Sequence, residues 1–199
     1  MTTTTNMKKI NNLIKTNDGL FEVVTEDDVL ILDEDTILKF RLFKGNFIDD
    51  DSINEIIYND SIIKLSKKML EYRTKYSKSI NEIKRHFLTK NINQNIIDDS
   101  IEILINKKLI NDFNLASSIA SSLARNSNGP LMIKEKLKQR LFTSDEISYA
   151  INNISTEDIY YGKEKLLNKL NKKYLNEDEK IRKYKIIKQL YAHGYKMDE

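Results

Sequence analysis

The basic residues are the side chains whose type and spacing in this sequence best suit binding to a partner. Lys134, Lys136, Lys138 and Arg140 lie close together on one short predicted helix, and residues 160–190 contain ten basic side chains against four acidic ones. Cations at this density suit contact with DNA phosphates or with an acidic protein surface. A solvated helix face is the alternative, and the abundance of Lys, Ile and Asn favours it, because AT-rich codons encode all three.

Five lysines are expected to face a partner. Lys134 and Lys138 lie one turn apart and therefore on the same side of their helix, whereas Lys136 and Arg140 lie on another side. The later basic cluster contributes the other members of the set. The candidate partner-binding or DNA-binding residues are Lys134, Lys138, Lys183, Lys185 and Lys188.

Other kinds of site lack the residues that they need. The chain has no Cys, which excludes disulfides, thiolate nucleophiles and Cys-based zinc sites, and His86 and His193 are too few for a His-rich metal site. Gly129-Pro130 lacks the Gly-rich backbone and the Lys-Ser/Thr pair of a phosphate loop. Because no nucleophile, base and oxyanion donor come together, the sequence predicts a protein that is not an enzyme and uses no metal or cofactor.

Composition and charge narrow the class of protein. With 199 residues, 40% hydrophobic and 32% charged, the chain can bury a core beneath a charged surface. It has neither a transmembrane-length apolar run nor the pattern of a signal peptide, so we expect a cytoplasmic protein that does not contact membranes, with residues 1–7 as a disordered tail.

Charge is unevenly distributed along the chain. Residues 1–60 hold 6 basic and 13 acidic side chains, whereas residues 61–199 hold 27 basic and 17 acidic ones. This asymmetry favours an anionic partner for the second part.

The elements that position these residues change type once along the chain. Residues 8–50 predict a small acidic segment that contains β-strands. Two strands and a short helix are expected within it, at 20–25, 29–32 and 33–41. After Asp50 the apolar pattern is helical. The longest helices are predicted at roughly 52–74, 112–125 and 156–175.

A repeat of about 50 residues runs through the helical part. Its three copies are Ile83, Phe87, Lys90 and Ile92; Ile133, Leu137, Arg140 and Phe142; and Ile186, Leu190, His193 and Tyr195. The first two positions of each copy share one helix face and predict a core. The cation at the third position should stabilise a helix C-terminus rather than contact a partner.

The residue after each cation is expected to end a helix in the left-handed conformation. Asn91 and Gly194 suit this conformation, whereas Leu141 does not, so its turn is expected to differ. Capping boxes are predicted from Ser79 to Glu82 and from Thr143 to Glu146.

The repeat predicts a mainly α protein. We expect three tandem three-helix repeats, the third incomplete, in an elongated solenoid-like array behind a small β-containing N-terminal cap. The predicted repeats are 51–110, 111–154 and 155–199. Single-stranded DNA could stack on exposed tyrosines, but those at helical spacing are expected to be mostly core or half-buried. They include Tyr160, Tyr161, Tyr184, Tyr191 and Tyr195.

Several short segments match a known family in order and spacing. They are Tyr72-Arg73, Ser79-x-x-Glu82-Ile83, Ile110-Asn-Asp112 with Ala116, Gly129-Pro130-x-x-Ile133-x-x-x-Leu137, and Arg182-Lys-Tyr184 with Leu190-x-x-His-Gly194-Tyr195. Over roughly residues 8–199 the chain resembles the RecX family, bacterial regulatory proteins that act on the RecA recombinase. His193 stands where the family usually has Arg, Asn91 and Leu141 stand where Gly is usual, and the C-terminal helix is absent.

The resemblance implies a function that the repeat alone does not. A RecX-like protein would bind the RecA monomer and the RecA–single-stranded DNA filament, lie along the filament groove and inhibit RecA activity in recombination, DNA repair and the SOS response. We expect it to act as a monomer. Direct DNA contact stays open, as do two alternatives: a stand-alone helical nucleic-acid-binding module that needs no RecA, and a purely structural scaffold.

Overall fold

The computed structural model describes residues 7–196, which form two compact units. The first unit comprises residues 7–75 and 84–109, and the second comprises residues 76–83 and 110–196. Residues 1–6 of the predicted disordered tail lie outside the described residues, and Met7 begins the first strand. The division into three repeats and their elongated arrangement stay predictions.

The first unit opens with short antiparallel strands. They are β1 (Met7–Lys9), β2 (Asn12–Lys15), β3 (Phe21–Val24), β4 (Val29–Leu32) and β5 (Phe47–Asp49). Strands β2, β3 and β4 form a meander, and β1 pairs with β5. Helix α1 (Glu34–Phe40) lies between β4 and β5 in the chain and begins at Asp33, whose carboxylate accepts a hydrogen bond from the Asp35 N–H at 2.9 Å. The strands predicted at 20–25 and 29–32 and the helix predicted at 33–41 are confirmed.

Three helices complete the first unit. They are α2 (Asp50–Tyr76), α3 (Ile80–Leu88), whose first turn is counted with the second unit, and α4 (Gln94–Asn106). The strands share a buried core with the start of α2, because Ile53 and Ile56 pack among apolar side chains of the N-terminal segment such as Ile10 and Val23. Asp60, one turn further along α2, is also buried.

The second unit is helical. Its helices are α5 (Asp112–Arg125), α6 (Pro130–Gln139), α7 (Ser144–Asn152), α8 (Thr156–Lys173) and α9 (Glu179–Ala192). Ala116, Ala120 and Ala124 are fully buried along α5, and their small side chains let neighbouring helices approach closely. One close approach is at Gly162 of α8, where a Cβ atom would lie 1.9 Å from the Ala124 carbonyl oxygen.

The helix boundaries agree with the sequence analysis. The three long predicted helices correspond to α2, α5 and α8. Both predicted capping boxes form: at each, the hydroxyl accepts from the N–H of the glutamate, and the glutamate accepts in return from the N–H of Ser79 (2.9 Å) or Thr143 (2.8 Å). The fold is therefore mainly α with small N-terminal sheets, as predicted.

Three helices of the second unit end in the same left-handed turn. Ser127, Leu141 and Gly194 have φ values of 64°, 59° and 83°. In each turn the N–H of the left-handed residue and that of the next residue donate to carbonyls three and five positions earlier, the bonding of a Schellman motif. The expectation that the Leu141 turn differs is wrong. Buried Phe142, which follows Leu141, fixes this geometry from the core side.

Candidate partner interface

Two of the five candidate lysines lie on α6. Ile133 and Leu137 anchor this helix, because both side chains are completely buried in the core of the second unit. Lys134 and Lys138 follow them by one residue each and are exposed on a common side. The Lys138 ammonium lies 3.6 Å from the Glu135 carboxylate on the same helix. Such a surface ion pair is weak, so it does not prevent contact with a partner.

The other three candidate lysines lie on α9 but do not share one face. At about 100° per residue, Lys183 lies about 160° from Lys185 and about 140° from Lys188 around the helix. Lys183 and Lys188 are exposed. Lys185 is half-buried, and its Nζ lies 2.5 Å from Glu177 Oε1. The structure therefore brings Lys134 and Lys138 together on α6, and on α9 it separates Lys183 from Lys185 and Lys188.

The remaining cations of α6 are bonded within the second unit. Lys136 Nζ donates to Asn128 Oδ1 at 2.7 Å. The Arg140 guanidinium donates to the Ser77 carbonyl oxygen and, at 3.3 Å, to Glu82 Oε2. These two cations stabilise the fold, and they lie on a different side of α6 from the exposed lysine pair, as the sequence predicts.

Arg140 and His193 hold equivalent positions in the repeat and make equivalent contacts. Arg140 donates to the carbonyl of Ser77, and His193 Nδ1 lies 2.9 Å from the carbonyl oxygen of Ser127. Ser77 and Ser127 are 50 residues apart and both adopt left-handed φ values, 48° and 64°. The repeat spacing predicts both side chains at helix C-termini but does not predict their contacts with the serine carbonyls. The recurrence of a serine at the repeat spacing is the signal that could have revealed them.

The contact at Arg140 belongs to a larger hydrogen-bonded junction. Ser79 Oγ donates to the Arg140 carbonyl at 2.7 Å, and Asn81 Nδ2 donates to the Leu141 carbonyl at 2.8 Å. Burial opposes the charge of Glu82, but hydrogen bonds from the Lys78 ammonium and the Ser79 N–H, together with the nearby Arg140 charge, hold the pKa of Glu82 below its ordinary value. The junction therefore favours a charged Glu82.

The equivalent junction at His193 uses backbone donors. The N–H groups of Gly129 and Leu131 donate to the carbonyls of His193 and Gly194 at 2.7 and 3.2 Å. A Cβ atom on Gly129 would lie 2.4 Å from the Gly194 carbonyl oxygen, so only glycine allows this approach. Together, the two junctions fix the angle of α6 and the position of the turn that follows α9.

Four tyrosines of α8 and α9 are exposed. The exposed fractions are 66%, 57%, 67% and 54% for Tyr160, Tyr161, Tyr184 and Tyr191. The expectation that these side chains are core or half-buried is wrong for all four. It is correct for Tyr195, which is 1% exposed; burial raises the pKa of its hydroxyl, which has no hydrogen-bond partner among residues 7–196. Helical spacing identified a face but did not show which tyrosines find a partner helix.

The histidines make structural contacts. The His86 ring stacks on Tyr72 in the first unit with 4.2 Å between ring centroids, and His193 is part of the second junction. From Met7 to Lys196, no three His, Asp or Glu side chains come close enough together to hold a metal ion. Over the same stretch, no helix is both long and apolar enough to span a lipid bilayer.

Comparison with known proteins identifies the family. A regulatory protein RecX of Leuconostoc mesenteroides is 30% identical over 195 residues, which cover 96% of this chain and 73% of that protein. The chain belongs to the RecX family. The RecX of Bacillus subtilis is 28% identical over 186 residues, covering 92% of this chain and 70% of the relative. The resemblance found in the sequence is therefore confirmed, although no family model matches the chain.

Solved RecX structures have the same fold. A crystal structure of a regulatory protein RecX superposes with a TM-score of 0.79 at 22% identity and covers 96% of both chains. The RecX structure from Lactobacillus salivarius gives a TM-score of 0.63 at 23% identity and covers 70% of this chain. RecX proteins are regulatory proteins rather than enzymes, so the prediction of a protein that is not an enzyme is confirmed.

Proposed function

We propose that this chain inhibits the RecA recombinase by binding RecA or the groove of the RecA–DNA filament, and so regulates recombination, DNA repair and the SOS response. The observation that supports this proposal is the match to RecX proteins over 96% of the chain. The protein would act as a non-enzymatic monomer in the cytoplasm.

The charge distribution of the second unit supports an anionic partner. Lys134 and Lys138 form an exposed pair on α6, and Lys183 and Lys188 are exposed on α9 without an ion pair to any of residues 7–196. Exposed ammonium groups can steer the protein toward DNA phosphates or toward acidic protein surface. Lys185 already has Glu177 as a partner, so within the five-lysine set we expect it to contribute least.

The test is RecA ATPase activity on single-stranded DNA, with this protein added at increasing concentration. We expect inhibition at or below one copy per RecA protomer. No inhibition at stoichiometric amounts would contradict the proposal.

Charge reversal tests which surface is involved. We expect Lys134→Glu with Lys138→Glu to weaken inhibition strongly, because the two cations face the same way on α6. A matched control is Lys165→Glu with Lys169→Glu, an exposed pair at the same spacing on α8. Equal effects from both pairs would show that net charge, rather than the α6 surface, determines inhibition.

A further inference from the structure

Three turns of the chain share one local structure, but only two of them lead into a helix. In each turn a left-handed residue is followed by an apolar residue: Asn91-Ile92, Leu141-Phe142 and Gly194-Tyr195. Helix α4 begins two residues after Ile92, and α7 begins two residues after Phe142. Among residues 7–196, no helix follows Tyr195.

Helices α4 and α7 each pack on a long helix that precedes them. Ile147 of α7 lies in the same buried cluster as Ala116 of α5. Helix α4 is joined to α2 by the Tyr58 hydroxyl, which donates to Asp99 Oδ2 at 2.7 Å. Because α6 packs on α5 and α9 packs on α8, the long helix that corresponds to α5 in the third case is α8.

An open groove of about 520 Å³ lies on α8 beside Tyr195. Its lining residues are Thr156, Ile159, Tyr160, Lys163, Glu164, Leu167 and Tyr195. From Thr156 to Leu167 the groove spans about 16 Å of α8, or about three helical turns. Helix α7, with 9 residues, is about 14 Å long. The position and length of this groove, which we call the α8 groove, therefore suit a helix such as α7.

The α8 groove is apolar, with a lysine near its middle. Ile159 and Leu167 are half-buried, and Tyr160 is 66% exposed. Lys163 lies between the two aliphatic side chains along α8, and its Nζ is 6.0 Å from the centroid of the Tyr195 ring. The buried Tyr195 hydroxyl is a donor without a hydrogen-bond partner among residues 7–196. A complementary ligand therefore has an apolar face that carries a hydrogen-bond acceptor, and a carboxylate suits the lysine.

We propose that the α8 groove binds an amphipathic helix of a protein partner, in the position that α7 occupies on α5. The partner helix would carry apolar side chains at positions i, i+4 and i+7, the spacing of Ile147, Ile151 and Ile154 in α7. A carboxylate beside this apolar face would pair with Lys163. Removal of the exposed apolar surface of the groove from water would drive binding. This inference goes beyond RecA regulation, because it requires no RecA.

The test uses a fluorescein-labelled peptide with the sequence of residues 143–155, which includes α7 and its N-cap. A hydrocarbon staple replaces Ser148 and Asn152, on the side away from the isoleucines, because so short a helix is only marginally stable in water. We expect the full chain to bind this peptide saturably below about 1 mM, as measured by fluorescence anisotropy. A stapled peptide of the same composition, with the isoleucines scattered around the helix, should not bind. Amide NMR shifts should change mainly along residues 156–167.

Two neighbouring tyrosines of α8 provide a matched pair of variants. Tyr160→Ala should weaken peptide binding by about fivefold to thirtyfold, because it removes an aromatic side chain that lines the α8 groove. Tyr161→Ala removes a 57% exposed tyrosine that does not line it and should leave binding unchanged. Both side chains are exposed, so circular dichroism should show unchanged helix content for both variants.

A second peptide tests the role of charge. It carries Ala150→Glu beside the isoleucines and should bind the parent protein about twofold to fivefold more tightly, as expected for one exposed ion pair. Lys163→Gln should abolish this gain. A gain that persists in Lys163→Gln, or no gain at all, would contradict the pairing of a carboxylate with Lys163.

Three results would overturn the assignment as a whole. The first is binding of the α7 peptide no tighter than that of the scattered peptide, and the second is an equal loss from Tyr160→Ala and Tyr161→Ala. The third is dimerisation of the full chain in sedimentation that Leu167→Asp prevents, which would assign the α8 groove to a second copy of this chain. Because none of these assays contains RecA, their outcome is independent of the ATPase test.

Discussion

Replacing Asp60 by Ala should strongly destabilise the first unit. The Asp60 side chain is 8% exposed, and its two oxygens have different partners. Oδ1 accepts hydrogen bonds from the Asp33 N–H at 2.7 Å and from the Thr36 hydroxyl at 2.8 Å, and Oδ2 lies 2.7 Å from Lys64 Nζ. Asp33 and Thr36 are themselves buried. This carboxylate therefore joins the start of α1 to the middle of α2.

The expected magnitude follows from these contacts. The two hydrogen bonds to Oδ1 contribute about 1.5–3 kcal/mol each, because the acceptor is charged and both donors lose access to water without it. The ion pair with Lys64, which is 30% exposed, adds at most about 1 kcal/mol. We therefore expect Asp60→Ala to lower the free energy of unfolding by about 3–7 kcal/mol.

Asp60→Asn is the matched control. Its side-chain carbonyl can still accept from Asp33 and Thr36, but these hydrogen bonds lose their charged acceptor and the ion pair with Lys64 is removed. We therefore expect a cost of about 1–3 kcal/mol, smaller than that of Asp60→Ala. Urea denaturation followed by circular dichroism measures both variants, and amide hydrogen exchange over residues 33–40 localises the change to α1. A cost below about 1 kcal/mol for Asp60→Ala, or equal costs for both variants, would refute this account of the network.

Three further predictions concern the second unit. The pKa of Glu82 is lower in the folded protein than its ordinary value of 4.5, so the charged Glu82 stabilises the fold fully above pH 4.5, and this stabilisation is lost as the pH falls through the folded pKa. In thermal melts, Glu82→Gln should therefore lose less stability than the parent protein on acidification below about pH 5. An unchanged dependence of stability on pH would contradict this. A Gly→Ala change stabilises an ordinary exposed helix, but at Gly162 the new Cβ atom would lie 1.9 Å from the Ala124 carbonyl oxygen. We therefore expect Gly162→Ala to lower the free energy of unfolding in urea by about 1–3 kcal/mol. A higher free energy of unfolding would count against this packing. Leu141→Gly should raise the melting temperature, because it relieves about 1 kcal/mol of left-handed strain; a lower melting temperature would mean that packing of Leu141 outweighs this strain.

Local sequence signals identified most of the helical elements. The predicted helix at 112–125 and the observed α5 coincide, because Asn111 caps its start and an apolar period of 3.6 runs through it. The capping boxes were equally predictable, since a hydroxyl and a glutamate three residues apart satisfy each other within one helical turn. Strands β1 and β5 were not predicted as a pair, because their pairing joins residues about 40 apart, whose register no local pattern specifies.

The candidate interface was less predictable. The sequence shows where the basic residues lie along the chain, but not which of them form hydrogen bonds or ion pairs within the fold. Lys136 and Lys185 have such partners, whereas Lys188 has none among residues 7–196. Similarly, Tyr191 and Tyr195 belong to one short segment, yet one is exposed and the other buried. The difference depends on which surfaces of α8 and α9 meet.

The sequence by itself determined the family, the order of the long helices and the absence of cysteine chemistry. These depend on residue types and on spacings within one or two helical turns, where neighbours along the chain are also neighbours in space. Only the tertiary structure decided that Arg140 and His193 bond serine carbonyls more than 60 residues away, that Leu141 adopts a left-handed turn, and that Tyr184 and Tyr191 are exposed. Each of these depends on contacts between distant segments, where burial and close packing outweigh local preference.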